Sequence, residues 1–475
     1  MIYNRWPLGI DRMWQLWQAD ERKQLLKTIF EIAEEFPQGV ISQFFLFGPR
    51  SHNILAPQNI EAILSSNFSD YSFGPRAEIF HQLIGDGIFV QEGAAGKKSR
   101  AMLRKHLFSS SSTYGLEKLA EHVENFLARL PLSEQGGVVD LQPLIFDLFM
   151  DNSSARLLGR STYTLKFGEN TPESTRNRKF AENFCIASEG LVRRFRCVPF
   201  HNMYNPARFR TACIEVRHYV EDFLAEVRSL KPAIVGGRAA DSLIEQMAQD
   251  GMSDDSIRDH VINVLLAGRD STASALIWTF RLLARTPRVI DKLRNEVGTV
   301  MGQRALASKA DLREMPYLAQ VIKECLRLYP AIPLNTRQAT KTNILPVGGG
   351  EDGLSPLLIR KGEVVVISPY VTSRRKEVYG LDASDFRPER WDDPVTTEAN
   401  AFFSFNGGPR RCLGEQIALK ELSFVIVAFL QTFDLIEPAH GEINEKIGAE
   451  KQNVGLVLCP TDGCRLFLRR QVLPV

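Results

Sequence analysis

The run from Asp254 to about Arg285 constrains the fold of this chain more than any other segment. Its middle, INVLLAGRDSTASALIW, is apolar on most faces, and such a pattern predicts a buried helix. Ser253 can cap the start of this helix, and Thr286-Pro287 ends it. At roughly 1.5 Å per residue the helix is about 48 Å long. We therefore expect one helix to cross a whole domain.

The rest of the chain is predicted to be mainly α with a small β portion. Residues 11–230 have a mostly helical pattern, a second helix spans about 315–328, and a last long helix begins near Leu413. Residues 332–370 are typical of strands and turns, and KPAIVGGRAADS (231–242) is the one segment typical of a flexible linker. We predict a single large domain over residues 1–475.

Composition and charge argue against several classes of protein. A net charge of +2 gives no indication of nucleic-acid binding. The seven cysteines are scattered and contain no C-x-x-C pair, which argues against a disulfide framework and a cysteine-rich zinc site. The opening residues are charged throughout, and no apolar run approaches the length, about 18 residues, that spans a bilayer. We therefore expect a reducing compartment and no membrane anchor in this chain.

The glycine-rich loop FNGGPRRCLG, residues 405–414, points to a thiolate ligand for a metal. A cysteine must be ionised to bind iron, and Cys412 lies at a helix start, where the helix dipole and free N–H groups favour an anion. We expect Gly407, Gly408 and Gly414 to remove side chains where a flat macrocycle would press against the backbone.

Two further side chains of this loop complete a known signature. Phe405 can cover the sulfur, and Arg410 can reach an acidic group of the ligand. The pattern F-x-x-G-x-R-x-C-x-G resembles the haem-binding signature of the cytochrome P450 family. Its fixed positions are Phe405, Gly408, Arg410, Cys412 and Gly414. The resemblance covers nearly the whole chain. It implies the cytochrome P450 fold around heme b (iron protoporphyrin IX), with Cys412 as the ligand of the iron.

The segment AGRDST, residues 267–272, lies in the middle of the long helix. Gly268, Asp270, Ser271 and Thr272 are poor helix formers, so we expect a bulge there. A buried carboxylate beside a hydroxyl can relay protons to bound oxygen. The segment resembles the family's oxygen-activation motif, [AG]-G-x-[DE]-T-[TS], with Ser271 in place of the usual threonine. The resemblance implies catalytic roles for Asp270, Ser271 and Thr272.

A structural triad is also predicted. Glu324 and Arg327 stand at i and i+3 and share a helix face, and Arg390 in FRPERW can close a buried ion triad with them. They resemble the family's triad that holds the cysteine loop.

Two arginines outside the signature match positions that bind haem propionates in the family. Arg337 follows the second helix in IPLNTR, and Arg100 takes the arginine place of W-x-x-x-R. Gly96 stands where that motif has tryptophan.

The sequence also bears on electron supply. Gly348, Gly350 and Gly353 spell G-x-G-x-x-G, but no helix follows them, so we interpret them as a turn between strands. Nicotinamide and flavin therefore have no predicted site in this chain. We expect a separate NADPH-cytochrome P450 reductase, docked near Arg410, Arg411 and Lys420.

The resemblance is closest to the fungal branch that hydroxylates alkanes and fatty acids. It implies a monooxygenase that uses O2 on a lipophilic substrate, either fatty-acid-like or a secondary metabolite. A haem-thiolate isomerase, dehydratase or peroxide-using enzyme, and a non-catalytic haem sensor, remain alternatives. We expect a location in the cytoplasm or on the cytoplasmic face of the endoplasmic reticulum, with at most peripheral membrane association and no nucleic acid.

Overall fold

A computed structural model describes residues 6, 9–36, 39–44, 48–108, 115–166, 171–229, 242–350, 352–394, 396, 401–439 and 446–471. The structure is 60% helical and 13% strand, which confirms the predicted mainly α class. The predicted linker lies outside the described residues except for Ser242. The extent of the domain, residues 1–475, stays a prediction.

Helices dominate the first half of the described chain. They are α1 (Ile10–Glu21), α2 (Leu25–Glu34), α3 (Pro57–Glu61), α4 (Arg76–Ile84), α5 (Gly93–Leu107), α6 (Leu116–Arg129), α7 (Leu141–Leu158), α8 (Pro172–Arg196) and α9 (Ala207–Ser229). A π-helical turn at Ala62–Ser66 follows α3 directly.

The second half contains the helices that surround the candidate site. They are α10 (Leu243–Gln249), α11 (Asp254–Ala284), α12 (Pro287–Met301), α13 (Lys309–Arg313), α14 (Pro316–Leu328), α15 (Pro369–Thr372), α16 (Lys376–Tyr379) and α17 (Glu415–Thr432). The two predicted helices at 254–285 and 315–328 are confirmed as α11 and α14.

The β portion consists of short strands in small sheets. They are β1 (Val40–Gln43), β2 (Ser51–Ile54), β3 (Tyr71–Ser72), β4 (Gly137–Asp140), β5 (Asn335–Ala339), β6 (Asn343–Gly349), β7 (Ser355–Ile359), β8 (Val364–Ile367), β9 (Phe433–Pro438), β10 (Gln452–Val454), β11 (Leu458–Pro460) and β12 (Arg465–Arg470). The largest sheet has the order β1-β2-β8-β5-β3, and its β2–β8 pair is parallel. Gly348, Gly350 and Gly353 lie around the turn of the antiparallel β6–β7 pair, as the sequence predicted.

Helix α11 runs through the core, and apolar side chains from other elements cover most of its faces. The Trp278 ring stacks on Tyr329 with 3.9 Å between ring centroids, and Phe280 stacks on Phe429 of α17 at 4.1 Å. Ser253 stands at the N-cap but makes no capping hydrogen bond with its side chain, contrary to the expectation. The helix is α-helical from Asp254 to Ala284, so the predicted bulge at 267–272 is wrong.

Candidate active site

The loop that carries Cys412 is closed by its own backbone. The Cys412 N–H donates to the Phe405 carbonyl at 2.9 Å, and a 3₁₀ turn at Gly408–Arg410 lies between them. Helix α17 begins at Glu415, two residues after Leu413, near which the sequence predicted its start, and Gly414 is its N-cap. Burial raises the pKa of the Cys412 thiol, and hydrogen bonds from the backbone N–H groups of Gly414 and Glu415 oppose that shift. Donors at a helix start therefore stabilise the anionic form of this sulfur.

The structure explains the glycine at position 408 differently from the sequence, which suggested space for a flat macrocycle. Its φ is +56°, and a Cβ built on it would lie 1.9 Å from the Leu64 carbonyl oxygen. A Cβ on Gly407 would lie 3.3 Å from the Leu64 side chain. These glycines let the loop pack on the π-helical turn, whereas a Cβ on Gly414 would lie 3.9 Å from the Cys412 sulfur. Only Gly414 of the three borders the sulfur directly.

Glu324, Arg327 and Arg390 form an ion cluster with no measurable exposure to solvent. Arg327 binds both carboxylate oxygens of Glu324 at 2.9 Å, and Arg390 Nε donates to Glu324 Oε1 at 2.8 Å. The remaining donors of both arginines reach backbone carbonyls between residues 373 and 385 and the Asp382 carboxylate. Such full pairing is what makes buried charge tolerable.

Aromatic contacts connect this cluster to the cysteine loop. Trp391, next to Arg390, packs edge-on against Phe402 at 5.6 Å, and Phe402 packs against Phe405 at 6.4 Å. Ser404 Oγ donates to the Leu326 carbonyl of α14 at 2.7 Å. The cluster can therefore hold the loop through the contacts of Trp391, Phe402 and Ser404.

One face of α11 remains partly accessible in the middle of the helix, where the neighbouring positions are buried. Val264, Ala267, Gly268 and Ser271 share this face by their spacing. Ser271 Oγ donates to the Ala267 carbonyl one turn back at 2.6 Å. We expected hydrogen bonds from side-chain hydroxyls to the backbone to open a bulge here. Ser271 makes such a bond, but the helix stays regular.

Asp270 lies away from that face and has a different partner. Its Oδ1 accepts from the neighbouring Arg269 Nη1 at 2.8 Å, and both side chains are buried. Burial raises the pKa of Asp270, and the charge of Arg269 opposes the shift. Thr272 is also buried. The structure thus brings the predicted acid and hydroxyl onto one turn of helix but gives each its own hydrogen-bond partner.

Three guanidinium groups surround the ring of Phe73. Those of Arg76, Arg337 and Arg410 lie 4.2, 4.9 and 4.9 Å from its centroid. The pairing of β3 with β5 places the segment after Ser72 beside Arg337. Sequence reasoning missed Arg76, because only this strand pairing brings it to the predicted arginines.

Positive charge in this arginine cluster exceeds the negative charge around it. Burial, followed by the charge of Arg337, lowers the pKa of Arg76 to about 9, and burial and Arg410 lower that of Arg337 to about 10. Glu92 is the carboxylate that opposes both shifts. At neutral pH these groups stay cationic, so the cluster favours an additional anionic group.

Arg100 and Arg410 both connect the cysteine loop with α5 or the residues just before it. The donor lies on α5 in one case and on the loop in the other. Arg100 of α5 donates to the Arg411 carbonyl. Arg410 of the loop donates to the Ile88 and Gln91 carbonyls just before α5. Each of these predicted propionate ligands therefore also connects two protein segments.

Comparison with known proteins assigns the chain to a family. The family model described as Cytochrome P450 matches residues 5–462. The chain belongs to the cytochrome P450 family.

Fungal cytochromes P450 are among its relatives. A cytochrome P450 of Arthroderma benhamiae is 35% identical over 98% of this chain and 90% of its own length. Cytochrome P450 52A5 of Candida maltosa is 37% identical over 84% of this chain and 78% of its own length. Cytochrome P450 monooxygenase himC of Aspergillus japonicus is 36% identical over 90% of this chain and 76% of its own length.

Cytochromes P450 are oxygen-incorporating oxidoreductases that bind heme b through a cysteine thiolate, which confirms the predicted enzyme class and cofactor. The residues around Cys412 fit this group. The sulfur faces N–H donors at a helix start, and the arginine cluster offers cations for the two haem carboxylates.

The predicted location is wrong as stated. The matching cytochromes P450 of the 52A group are typically anchored in the membrane of the endoplasmic reticulum. In the part of the chain that the structure describes, we find no helix with both the length and the apolar character of a membrane span.

Proposed function

We propose that this cytochrome P450 inserts one oxygen atom from O2 into a C–H bond of a lipophilic molecule, with electrons from a separate NADPH-cytochrome P450 reductase. The observation that carries the proposal is the partly accessible face of α11. It presents the Ser271 hydroxyl among Val264, Ala267 and Gly268, one residue from the buried Asp270 carboxylate.

Cys412 would hold the haem iron through its sulfur. Arg76, Arg337 and Arg410 would bind the haem carboxylates, since their guanidinium groups converge on Phe73. When bound, the haem supplies dioxygen activation and transfer of an oxygen atom. The protein's part would be to keep the sulfur anionic and to hold the haem by its carboxylates.

Proton delivery is assigned to Ser271 and Asp270. Ser271 Oγ is held at one position by its 2.6 Å bond to the Ala267 carbonyl, so its lone pairs are directed by the helix. Burial favours the neutral form of the Asp270 carboxyl group. Asp270 can therefore exchange a proton when its hydrogen bond with Arg269 breaks. Thr272 is buried and is the alternative hydroxyl for this role.

The substrate is proposed to be an oily molecule. Apart from Ser271, the accessible positions on this face of α11 are apolar or glycine, so a polar substrate would lose hydrogen bonds to water without replacement. The sequence resemblance makes a fatty-acid-like chain the first candidate and a secondary metabolite the second.

The reductase is proposed to dock on the α5 side of Cys412. Lys97 and Arg104 are exposed and share a face of α5 with Arg100, whose charge acts on the Cys412 sulfur. Arg410 is turned to the Ile88 and Gln91 carbonyls, and Lys420 is half-buried, so neither presents a free cation as the sequence suggested.

A peroxide-using or isomerising enzyme is the competing function, because neither needs electrons from a partner. The purified enzyme is assayed on a panel of fatty acids, with NADPH and added reductase in one arm and hydrogen peroxide alone in the other. We expect hydroxylated product only in the first arm. Product with peroxide alone, or a rearranged product without any oxidant, would favour the competitor.

The haem ligand is tested in the same preparation. Cys412→Ala should abolish the absorption band of the reduced carbon monoxide complex for which the family is named. Cys197→Ala, at the exposed cysteine that follows α8, should leave that band unchanged. A normal band in Cys412→Ala would refute the ligand assignment.

A further inference from the structure

A cleft of about 510 Å³ lies between α7, α8, α11 and the segment 461–465 at the start of β12. Asp147 of α7, Cys185 of α8 and Arg269 of α11 line it. Asp147 is half-buried and Cys185 is exposed, whereas Arg269 is buried. The cleft therefore brings solvent to the guanidinium group that binds Asp270.

Arg269 is held on several sides, but one of its donors remains unused. Its Nη1 donates to Asp270 at 2.8 Å and its Nη2 to the Cys185 sulfur at 3.3 Å. The guanidinium carbon lies 5.0 Å from the ring centroid of Phe146 and 5.4 Å from that of Phe184. Its Nε is buried and has no acceptor in the part of the chain that the structure describes. Buried donors of this kind ordinarily bind water, so we expect water from the cleft to reach this guanidinium group.

Asp147 differs from the next acid on the same face of α7. The Asp151 carboxylate, one turn further on, is fixed by hydrogen bonds from Thr162, Thr164 and Leu165. Among the described residues, the Asp147 carboxylate has neither a hydrogen-bond donor nor an ion-pair partner within bonding distance. It can therefore exchange protons with water in the cleft.

The surroundings of Asp147 make both of its protonation states accessible near neutral pH. Burial, followed by the charge of Asp151, raises its pKa to about 6, and Arg269 and Arg129 oppose that shift. A group that carries protons works best when its pKa lies near the working pH. The other charged or titratable side chains that line the cleft are Asp140, Cys185, Asp462 and Arg465.

We propose that protons enter the active site through Asp147: its carboxyl group takes up a proton from water in the cleft, and water beside Arg269 passes a proton on to Asp270. Asp147 returns to its ionised form as Asp270 becomes neutral, so protons and charge balance. The guanidinium group keeps its protons and supplies the positive charge that acts on both carboxylates. The inference rests on the proton delivery proposed above for Asp270 and Ser271, and it adds the side chain that connects them with solvent.

The test is a double-mutant cycle with Asp147→Asn, Asp270→Asn and the double variant in the haem-loaded protein with added reductase. Dodecanoic acid is the probe. NADPH consumption and hydrogen peroxide release are recorded, so the readout does not require this acid to be the natural substrate. Asp147→Asn should slow NADPH consumption about tenfold, less than Asp270→Asn, because water in the cleft can still reach Asp270 slowly. In the Asp270→Asn background the same change should have almost no further effect.

Two single variants and an isotope effect separate proton uptake from structural damage. Asp147→Glu keeps a titratable carboxyl group in the cleft and should retain most of the wild-type rate. Asp462→Asn removes a carboxylate that lines the same cleft but pairs with Arg281 at 3.2 Å, and it should leave the rate unchanged. The solvent deuterium isotope effect should increase in Asp147→Asn and return to the wild-type value in Asp147→Glu.

The second readout does not involve turnover. The infrared band of protonated carboxyl groups is followed in the resting protein from about pH 5 to about pH 8. Wild type should lose intensity with a midpoint at about 6, and Asp147→Asn should lack that step. In Asp270→Asn the midpoint should move to lower pH, because the charge of Arg269 then acts on Asp147 alone.

Each outcome decides the proposal. A loss in Asp147→Asn that Asp147→Glu restores and that disappears in the Asp270→Asn background supports it. A normal rate and isotope effect in Asp147→Asn, with Asp270→Asn slow, would overturn it and leave the proposed function standing. Effects that multiply in the double variant, or an infrared midpoint that stays in place in Asp270→Asn, would also overturn it. If Asp270→Asn is itself silent, the proton delivery proposed above fails, and this inference fails with it.

Discussion

Arg269 and Asp270, neighbours in the core of α11, form a buried ion pair with 2.8 Å between Nη1 and Oδ1. The same guanidinium lies 3.3 Å from the Cys185 sulfur and over the Phe146 ring at 5.0 Å. Arg269 also lines a cleft of about 510 Å³ together with Asp147. Arg269 therefore connects Asp270, the carboxylate assigned to proton delivery, with a cleft that opens to solvent.

Replacing Asp270 should slow catalysis without preventing substrate binding. In Asp270→Asn the amide oxygen can still accept from Arg269, but the side chain no longer exchanges a proton. We expect product formation to fall by about two orders of magnitude, the usual contribution of a positioned acid or base. The substrate-induced shift of the haem spectrum should remain. An unchanged rate would remove Asp270 from the mechanism.

Replacing Ser271 should uncouple electron use from product formation. Ser271→Ala removes the hydroxyl that is held by the Ala267 carbonyl, so proton delivery from this face of α11 should become less selective. We expect less product per NADPH consumed and more hydrogen peroxide. Ser271→Thr, which keeps the hydroxyl, is the matched control and should stay coupled. Wild-type coupling in Ser271→Ala would shift the role to Thr272 or to water.

Glu324→Ala should destabilise the protein strongly. It leaves Arg327 and Arg390 buried without their shared carboxylate, which costs about 3–5 kcal/mol. We expect little folded, haem-loaded protein and a lower melting temperature. Glu31→Ala breaks an exposed ion pair of 3.9 Å and should change the melting temperature little. Equal effects of the two substitutions would contradict a buried structural role.

Charge reversal on α5 should weaken binding of the reductase. We expect Lys97→Glu with Arg104→Glu to raise the KM for reductase at low ionic strength, with little change in kcat at saturation. High salt should reduce the difference from wild type, because screening weakens interactions between exposed charges. Lys27→Glu on α2 changes the net charge by as much as Lys97→Glu alone and is the control for net charge in that comparison. A KM independent of both substitutions would place the docking surface elsewhere.

Asp147 should make stability depend on pH. Burial, followed by the charge of Asp151, raises its pKa to about 6, and Arg269 and Arg129 oppose that shift. Because the folded pKa exceeds the unfolded one, the stabilisation is complete at pH values below the unfolded pKa and is lost as pH rises through about 6.

Asp147→Asn should therefore unfold at a higher temperature than wild type at about pH 8 and lose that advantage at about pH 5. The expected gain is about 1 kcal/mol at the higher pH, because the group is only partly buried. Glu134→Gln, at an exposed carboxylate, is the control substitution. A difference from wild type that is constant across the range would contradict the raised pKa.

Local sequence patterns were sufficient to predict the longest helix and the position of the ion pair on α14. The apolar run at 254–285 predicted α11, because a helix buried on most faces leaves its periodicity in the residues themselves. The spacing of Glu324 and Arg327 placed both on one face of α14, where they share a carboxylate–guanidinium pair. The start of α17 was predicted to within two residues, whereas the predicted bulge was wrong, because the bond from Ser271 to the Ala267 carbonyl fits a regular helix.

The sequence by itself determined the helical class, the cysteine loop and its family, since these depend on residue types at fixed spacing along the chain. Only the tertiary structure placed Arg76 beside Arg337 through strand pairing, and only it showed that Gly408 leaves room for the Leu64 carbonyl. Those relationships join residues hundreds of positions apart. They depend on which atoms compete for one volume, and no local pattern encodes that competition.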